Sequence, residues 1–395
     1  MIKSTAIQTL EILQSKSPFA LENYNQIHDL DGFVRQMVES LGINIDVETI
    51  LKEFANYTIE APTKYQNPHT YSLLNSLISS LKSVVDENSA DLTEKYKIQF
   101  KDFPVFGSVS MGLFSAQVLC LNNENLLLFS DGVFGFANLI SKIIACCCPI
   151  NGARSTGYNY SFNKTEIKKN LDNNGIIIAR FLDVMFAYMI NKDPHQAKQY
   201  FIDKKYLSFS EIIRDSFELF IVAHEYAHIS LGHFTNEQSK ELLDSNNNDF
   251  DVNALIYNWN QELDADALGA HLVILLMQKK GYDSLISAFG IWTCLNVIWL
   301  IDRLKEAEDI ERIHIPSFST THPPVDLRKE NILQMFSKIK GSNDFFLTID
   351  FIFEELWDRF FSFYQSLKKT FNINEINSTE INFRVIQKII YKMLG

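Results

Sequence analysis

This chain of 395 residues lacks the features that assign many proteins at a glance. It has no cluster of lysine and arginine. Thirty-six basic residues stand against 48 acidic ones, a formal net charge of −12, and nowhere is positive charge concentrated as a nucleic-acid footprint requires. Nucleic acid is therefore not an expected partner. Paired Cys-x-x-Cys spacing is absent too. Three of the five cysteines, Cys146, Cys147 and Cys148, are adjacent, too close for an ordinary disulfide framework, so reduced and partly buried thiols are expected. The opening MIKSTAIQTLEILQSKSPF contains an acidic residue and no continuous apolar core, which argues against a secretory signal. Long apolar runs are scarce. Residues 285–301 carry no charge but only just reach spanning length and include Ser, Thr and Asn, while GVFGFANLISKIIACCCPI is interrupted by Lys142. A core helix is the simpler reading of the first run, and a cytoplasmic, soluble protein is expected. No internal repeat is evident.

What is present is HEYAHISLGH at residues 224–233. At helical pitch His224 and His228 project from one face, so both imidazoles can ligate one Zn²⁺, and Glu225, displaced sideways, can act as general base toward water at the metal. The surrounding SEIIRDSFELFIVAHEYAHISLGHF predicts one long helix with Phe217, Phe220, Ile221, His224 and His228 along a single stripe. The histidines thus continue an apolar face, where a buried imidazole needs a partner.

A catalytic zinc takes three protein ligands. A metzincin would carry Gly seven residues and His ten residues after the first His, but Leu231 and Phe234 stand there. An acid on a second helix is the other answer, and NWNQELDADALGAHLVILLMQKKG supplies one. Glu262 and Asp266 share a face, and Gly269 and Ala270 continue it, allowing close packing against the first helix. Glu262 is the expected third ligand. Asp266, one turn on, is placed to accept the free ring N–H of His224. His233, five residues after His228, falls about 140° from it around a helix and is not expected to bind the same metal. His271, seven residues after Asp264, is a candidate to pair with it.

A third element, THPPVDLR, completes a pattern. HEYAHISLGH, ELDADALGA and THPPVDLR, in this order, resemble the gluzincin zinc metallopeptidases of the CAAX prenyl protease and heat-shock membrane protease family. There, the helix with two His ligands is followed by a Glu-x-x-x-Asp helix and a His-Pro-x-x-x-x-Arg element, matched here by His322, Pro323 and Arg328. Upstream, LFSAQVLCLNNENLLLFSDGVFGFANLI is similar to the family's edge strand, hairpin and following helix, with Ser115 and Gln117 where the family has Asn and Phe. The resemblance spans roughly residues 100–335. It implies a zincin-like core, one Zn²⁺ per chain and hydrolysis of peptide bonds in a protein or peptide substrate. That substrate would lie along the edge strand at Ser115, Ala116 and Gln117 by strand addition. For His322 it implies a donor to the oxyanion of a tetrahedral intermediate. From the residues themselves, the two prolines after His322 are expected to preset helical φ at a helix start. Arg328 would then either anchor a substrate carbonyl or pair with Asp266 or Glu262.

The expected fold is α+β and mostly helical, a metallopeptidase core with a small sheet and flanking helices. Three regions are expected: helical residues 1–95, a metallopeptidase domain at 96–338, and a C-terminal helical extension at 339–395. Helices are predicted at DGFVRQMVESLG, VETILKEFANY and NPHTYSLLNSLISSLKSVVDEN, the last with Pro68 near its start. Strands are predicted within residues 96–131, turning at 122–125, and helix again from about 164. TNEQSKELLDSNNNDFDVN, between the ligand helices, reads as a loop or lid, and FFLTIDFIFEELWDRFFSFYQSLKKTF as an aromatic amphipathic helix. The expected activity is that of a zinc endopeptidase of regulatory or phage-defence type. The alternatives are an integral membrane protease of the same family and a catalytically inactive zinc-binding interaction protein. Glu225 argues against the last, because a purely structural site has no use for a base.

Overall fold

Local capping signals set where several helices begin. The computed structural model describes residues 4–17, 20, 46, 48, 52, 61–98, 103–121, 124–154, 157–233, 252–309, 322–371 and 383–394. Ser4 caps α1 (Thr5–Ser15) by accepting from the N–H of Ile7. Asn67 caps α2 (Pro68–Glu87) through the N–H groups of His69 and Thr70, and Pro68 occupies the first helical position, where a missing N–H costs nothing. A short α3 (Ser89–Tyr96) follows. The helices expected at residues 31–42 and 47–57, and the loop expected at 235–253, lie almost wholly outside the described residues.

The expected strands form a three-stranded sheet of β1 (Val105–Val109), β2 (Ala116–Leu121) and β3 (Glu124–Ser130), in the order β1-β3-β2. Central β3 pairs parallel with β1 and antiparallel with β2, with Leu121 opposite Glu124. Residues 122 and 123 of the expected turn lie outside the described residues. Alternation along β3 divides two cores. Leu127 and Phe129 join the principal core, whereas Leu126 and Leu128 meet Ala6 and Leu10 of α1 on the other face.

From β3 the chain enters α4 (Asp131–Cys147) directly. The cysteine run closes this helix as buried free thiols, and burial pushes Cys146 up to about 11. A hairpin of β4 (Ile150–Arg154) and β5 (Gly157–Tyr160) comes next. Sequence patterning did not signal it, because NGARSTGYNY has few β-formers and the pairing is irregular between Ile150 and Gly152. The elements that follow among the described residues are helical: α5 (Lys164–Asn173), α6 (Gly175–Asn191), a 3₁₀ turn at Pro194–Gln196, α7 (Lys204–Ser230), α8 (Val252–Lys279), α9 (Ser284–Asp309), α10 (Val325–Phe336), α11 (Ser342–Phe371) and α12 (Phe383–Leu394).

The long α7 is the centre of the packing and touches α2, α4, α8, α9 and the face of β2 and β3. Its contact with α9 is backbone to backbone at Gly290, where a Cβ would collide with the Ile213 carbonyl and the Phe217 N–H. Segment Ser284–Ala307 of α9 is long and apolar enough to cross a membrane, yet 72% of its most apolar window is buried in the fold. Helices α5 and α6 pass the same test only together, across an 85° bend. Residues of α11 and α12, among them Phe353, Leu356, Ile386 and Ile390, belong to the same principal core as α7. Buried polar contacts fix these last helices. Asp350 of α11 accepts from Trp292 and Asn296 of α9 and from Lys329 of α10, at 2.8 to 2.9 Å.

One buried acid in α7 stands outside these networks. Glu218 is 3% exposed, and burial, helped by Asp215 and opposed by Arg214, raises its carboxyl from an ordinary 4.5 to about 8. The folded state therefore holds this proton to higher pH than the unfolded chain does. Its favourable contribution is full below the unfolded value of 4.5 and is lost as pH climbs toward about 8. Urea unfolding at pH 5 and pH 8 should show a smaller loss of stability for Glu218→Gln than for the parent. An identical loss in both proteins would contradict the assignment.

Candidate metal centre

The site begins on the last two turns of α7. Helical pitch sets His224 and His228 edge-on with ring centres 4.8 Å apart and brings their Nε2 atoms within 3.1 Å. Across from them α8 supplies Glu262, with Oε2 3.4 Å from Nε2 of His224 and Oε1 3.3 Å from Nε2 of His228. All three residues are buried, and the atoms they offer lie within 4.8 Å of one another. Gly269 makes the approach feasible, since a Cβ there would lie 3.0 Å from the backbone nitrogen of His224. The anticipated close packing of α8 on α7 is thus observed at the residue anticipated.

Behind the ligand atoms lies a second layer of contacts. Nδ1 of His224 is 2.9 Å from Oδ1 of Asp266, which is fully buried. Both oxygens of Asp266 also accept from Arg328, Nε at 2.8 Å and Nη2 at 2.7 Å. Of the two roles open for Arg328 in the sequence, the fold shows pairing with Asp266. Asn331, one turn further along α10, donates to the carbonyl of Leu263 at 2.7 Å and fastens α10 beside Glu262.

Glu225 is buried at 8% exposure, one step of about 100° around α7 from His224. His322 is more open, its side chain 58% exposed, with Nδ1 3.0 Å from Oε2 of Glu262. The prolines after it do not form the first helical turn as expected. Pro324 is the cap residue, with φ −50° and ψ 142°, and Val325 is the first helical residue. A proline disfavours helical backbone in the residue before it, which keeps His322 and Pro323 out of the helix. Ser115 and Gln117 are exposed, and Ala116 is half-buried at the start of β2, an edge strand of the sheet among the described residues. The Ser115 carbonyl accepts from Ser130, and Phe114 sets its ring edge-on to Phe217 of α7.

His233 is the neighbour that sequence reasoning left without a task. Reading it as a continuation of the helix put it well away from His228. Instead α7 ends at Ser230, the chain turns through Gly232 at φ 70°, and the His233 ring returns to Nδ1 of His228 at 3.0 Å. The signal was a Gly two residues past the last helical position, which marks a helix stop rather than a further turn. His271 makes no ion pair with Asp264. Two helical turns are too far for one side chain to bridge, and His271 lies against Tyr96 instead, ring centres 5.5 Å apart.

Opposite charges stabilise one another across the cluster. Burial alone would drive His224 down, but Asp266 and Glu262 outweigh it and raise the imidazole to about 10. Burial likewise opposes charge on Glu262, yet His224, His228 and His322 hold its carboxyl far below the usual range. Oε2 of Glu262 is buried without a well-formed hydrogen bond, although two imidazole nitrogens lie within 3.4 Å. An acceptor orphaned at the meeting point of two imidazoles fits a metal better than it fits the side chains around it. The triad can hold a metal ion. Comparison with family models, with curated proteins and with solved structures gives no match.

Proposed function

We propose that this chain is a cytoplasmic zinc metalloendopeptidase of gluzincin type. The observation that carries the proposal is the convergence of His224, His228 and Glu262 at one buried point, with the carboxylate Glu225 beside them on the same helix. Two imidazoles and one carboxylate are the ligand set of many catalytic zinc sites, which keep a fourth position open. The motif resemblance described above supports the same reading. Zinc held by the triad supplies Lewis acidity toward a scissile carbonyl and an attacking water.

The chain's own groups do the rest. Glu225 takes a proton from the attacking water onto a carboxylate oxygen and passes it to the leaving amine. His322, at the mouth of the site, donates to the oxygen that gains charge as the carbonyl becomes tetrahedral. The edge at Ser115, Ala116 and Gln117 aligns an extended peptide by main-chain hydrogen bonds. Asp266, held by Arg328, orients His224.

Elemental analysis of the purified chain tests the proposal. About one zinc per chain is expected, lost for the most part in Glu262→Ala, with Asp266→Ala weakening the metal by roughly ten- to a hundredfold. Undiminished zinc in Glu262→Ala would remove the ligand assignment and the proposal with it.

A further inference from the structure

Each ligand imidazole presents Nε2 to the triad, so the groups at the two Nδ1 atoms decide which tautomer it holds. For His224 that group is Asp266. For His228 it is another imidazole, Nδ1 of His233, at 3.0 Å. Two ring nitrogens at this distance cannot both be protonated or both be bare without repelling, so one donates and the other accepts. A His228 that offers Nε2 to a metal carries its proton on Nδ1. His233 is then the acceptor.

We propose that His233 is a positioning residue of this centre, its Nδ1 accepting from Nδ1–H of His228 and fixing the tautomer that directs the Nε2 lone pair at the metal. The inference rests on the metal reading above and adds to it a residue no ligand motif includes. The local fold is built to deliver the ring. After Ser230 the N–H of His233 reaches back to the His228 carbonyl at 3.0 Å and that of Gly232 to Ile229 at 3.0 Å, closing the helix with a left-handed glycine. Gln261, the residue before Glu262, donates to the His233 carbonyl at 3.2 Å. His233 therefore touches the second ligand through its ring and the helix of the third through its backbone. As a neutral acceptor it orients His228 without adding another negative charge beside Glu262 and Asp266.

Asn offers the test, because its Oδ1 stands the same number of bonds from Cα as the imidazole Nδ1 and also accepts. Phe keeps a ring but cannot accept. Full-length parent, His233→Asn and His233→Phe are titrated with Zn²⁺ against a chromophoric chelator, and metal-free thermal unfolding is recorded for each. The Phe variant should bind zinc roughly ten- to a hundredfold more weakly, with Asn restoring affinity to within about threefold of the parent. Should the Phe variant not fold, His233→Leu, the apolar isostere of Asn, takes its place. Zinc affinity in the Phe or Leu variant equal to the parent overturns the inference, as does an Asn variant no better than they are, which would make His233 a packing residue. A parent chain that takes up no zinc fails differently, removing the metal reading itself.

Discussion

Glu225→Gln is expected to lower peptide-bond hydrolysis by about 10²- to 10⁴-fold while leaving zinc content unchanged. Two of the three carboxylates around His224 are already engaged, Glu262 with the triad and Asp266 with Arg328. Glu225 is the remaining one, and the proposed mechanism gives it the proton. Gln has the same shape, so the packing of α7 should survive, but it cannot hold the proton that the attacking water gives up. The comparison is best made on new protein termini in cells expressing each form, with metal content measured on the purified proteins. Matching sets of termini would remove the peptidase reading even if zinc were bound.

The second large effect is expected from Arg328→Met. Arg328 and Asp266 form a two-point pair in which Asp266 has no solvent exposure, and Arg328 outweighs burial to hold the Asp266 carboxyl below its ordinary range. Removing the cation alone strands a buried carboxylate, a change that typically costs about 3–5 kcal/mol. Urea unfolding of the metal-free protein would show it as an earlier midpoint. Zinc affinity should fall as well, because an Asp266 that takes up a proton is a weaker acceptor for the His224 N–H. Arg328→Met combined with Asp266→Leu removes both charges, and it should recover most of the stability while zinc binding stays weak. An unchanged midpoint in the single variant would show that the pair does not hold α10 against α8.

How much of this was legible in the sequence follows from how far each residue must travel to its partner. His224 and His228, and likewise Glu262 and Asp266, lie one helical turn apart, so periodicity alone places each pair on one face. Gly269 then signals where the two helices meet. Arg328 is 62 positions from Asp266, and nothing local chooses between a substrate carbonyl and a carboxylate. His233 was misplaced because its position depends on where α7 stops, and helix ends are the least certain feature of a periodic pattern. The helix after His322 starts later than its prolines suggest, at Val325, for the same reason. The β4–β5 hairpin left no periodic trace at all, since strands of five and four residues rich in Gly and Asn carry almost no alternation. The strands around Ser115 were legible as a group, whereas their order, with β3 between β1 and β2, was not.

Asp350 gives the C-terminal helices a bearing on where this protein can be cut. A fragment ending at residue 338 would contain every described side chain that touches the candidate metal centre. It would also leave the Trp292 indole N–H and the Lys329 ammonium, two of the groups that meet on Oδ1 of Asp350, without that shared acceptor. Lys329 sits next to Arg328, so the slack would fall on the helix that secures Asp266. On the proposed function, the smallest piece of this chain expected to hold the site firmly is thus longer than the piece that spells it.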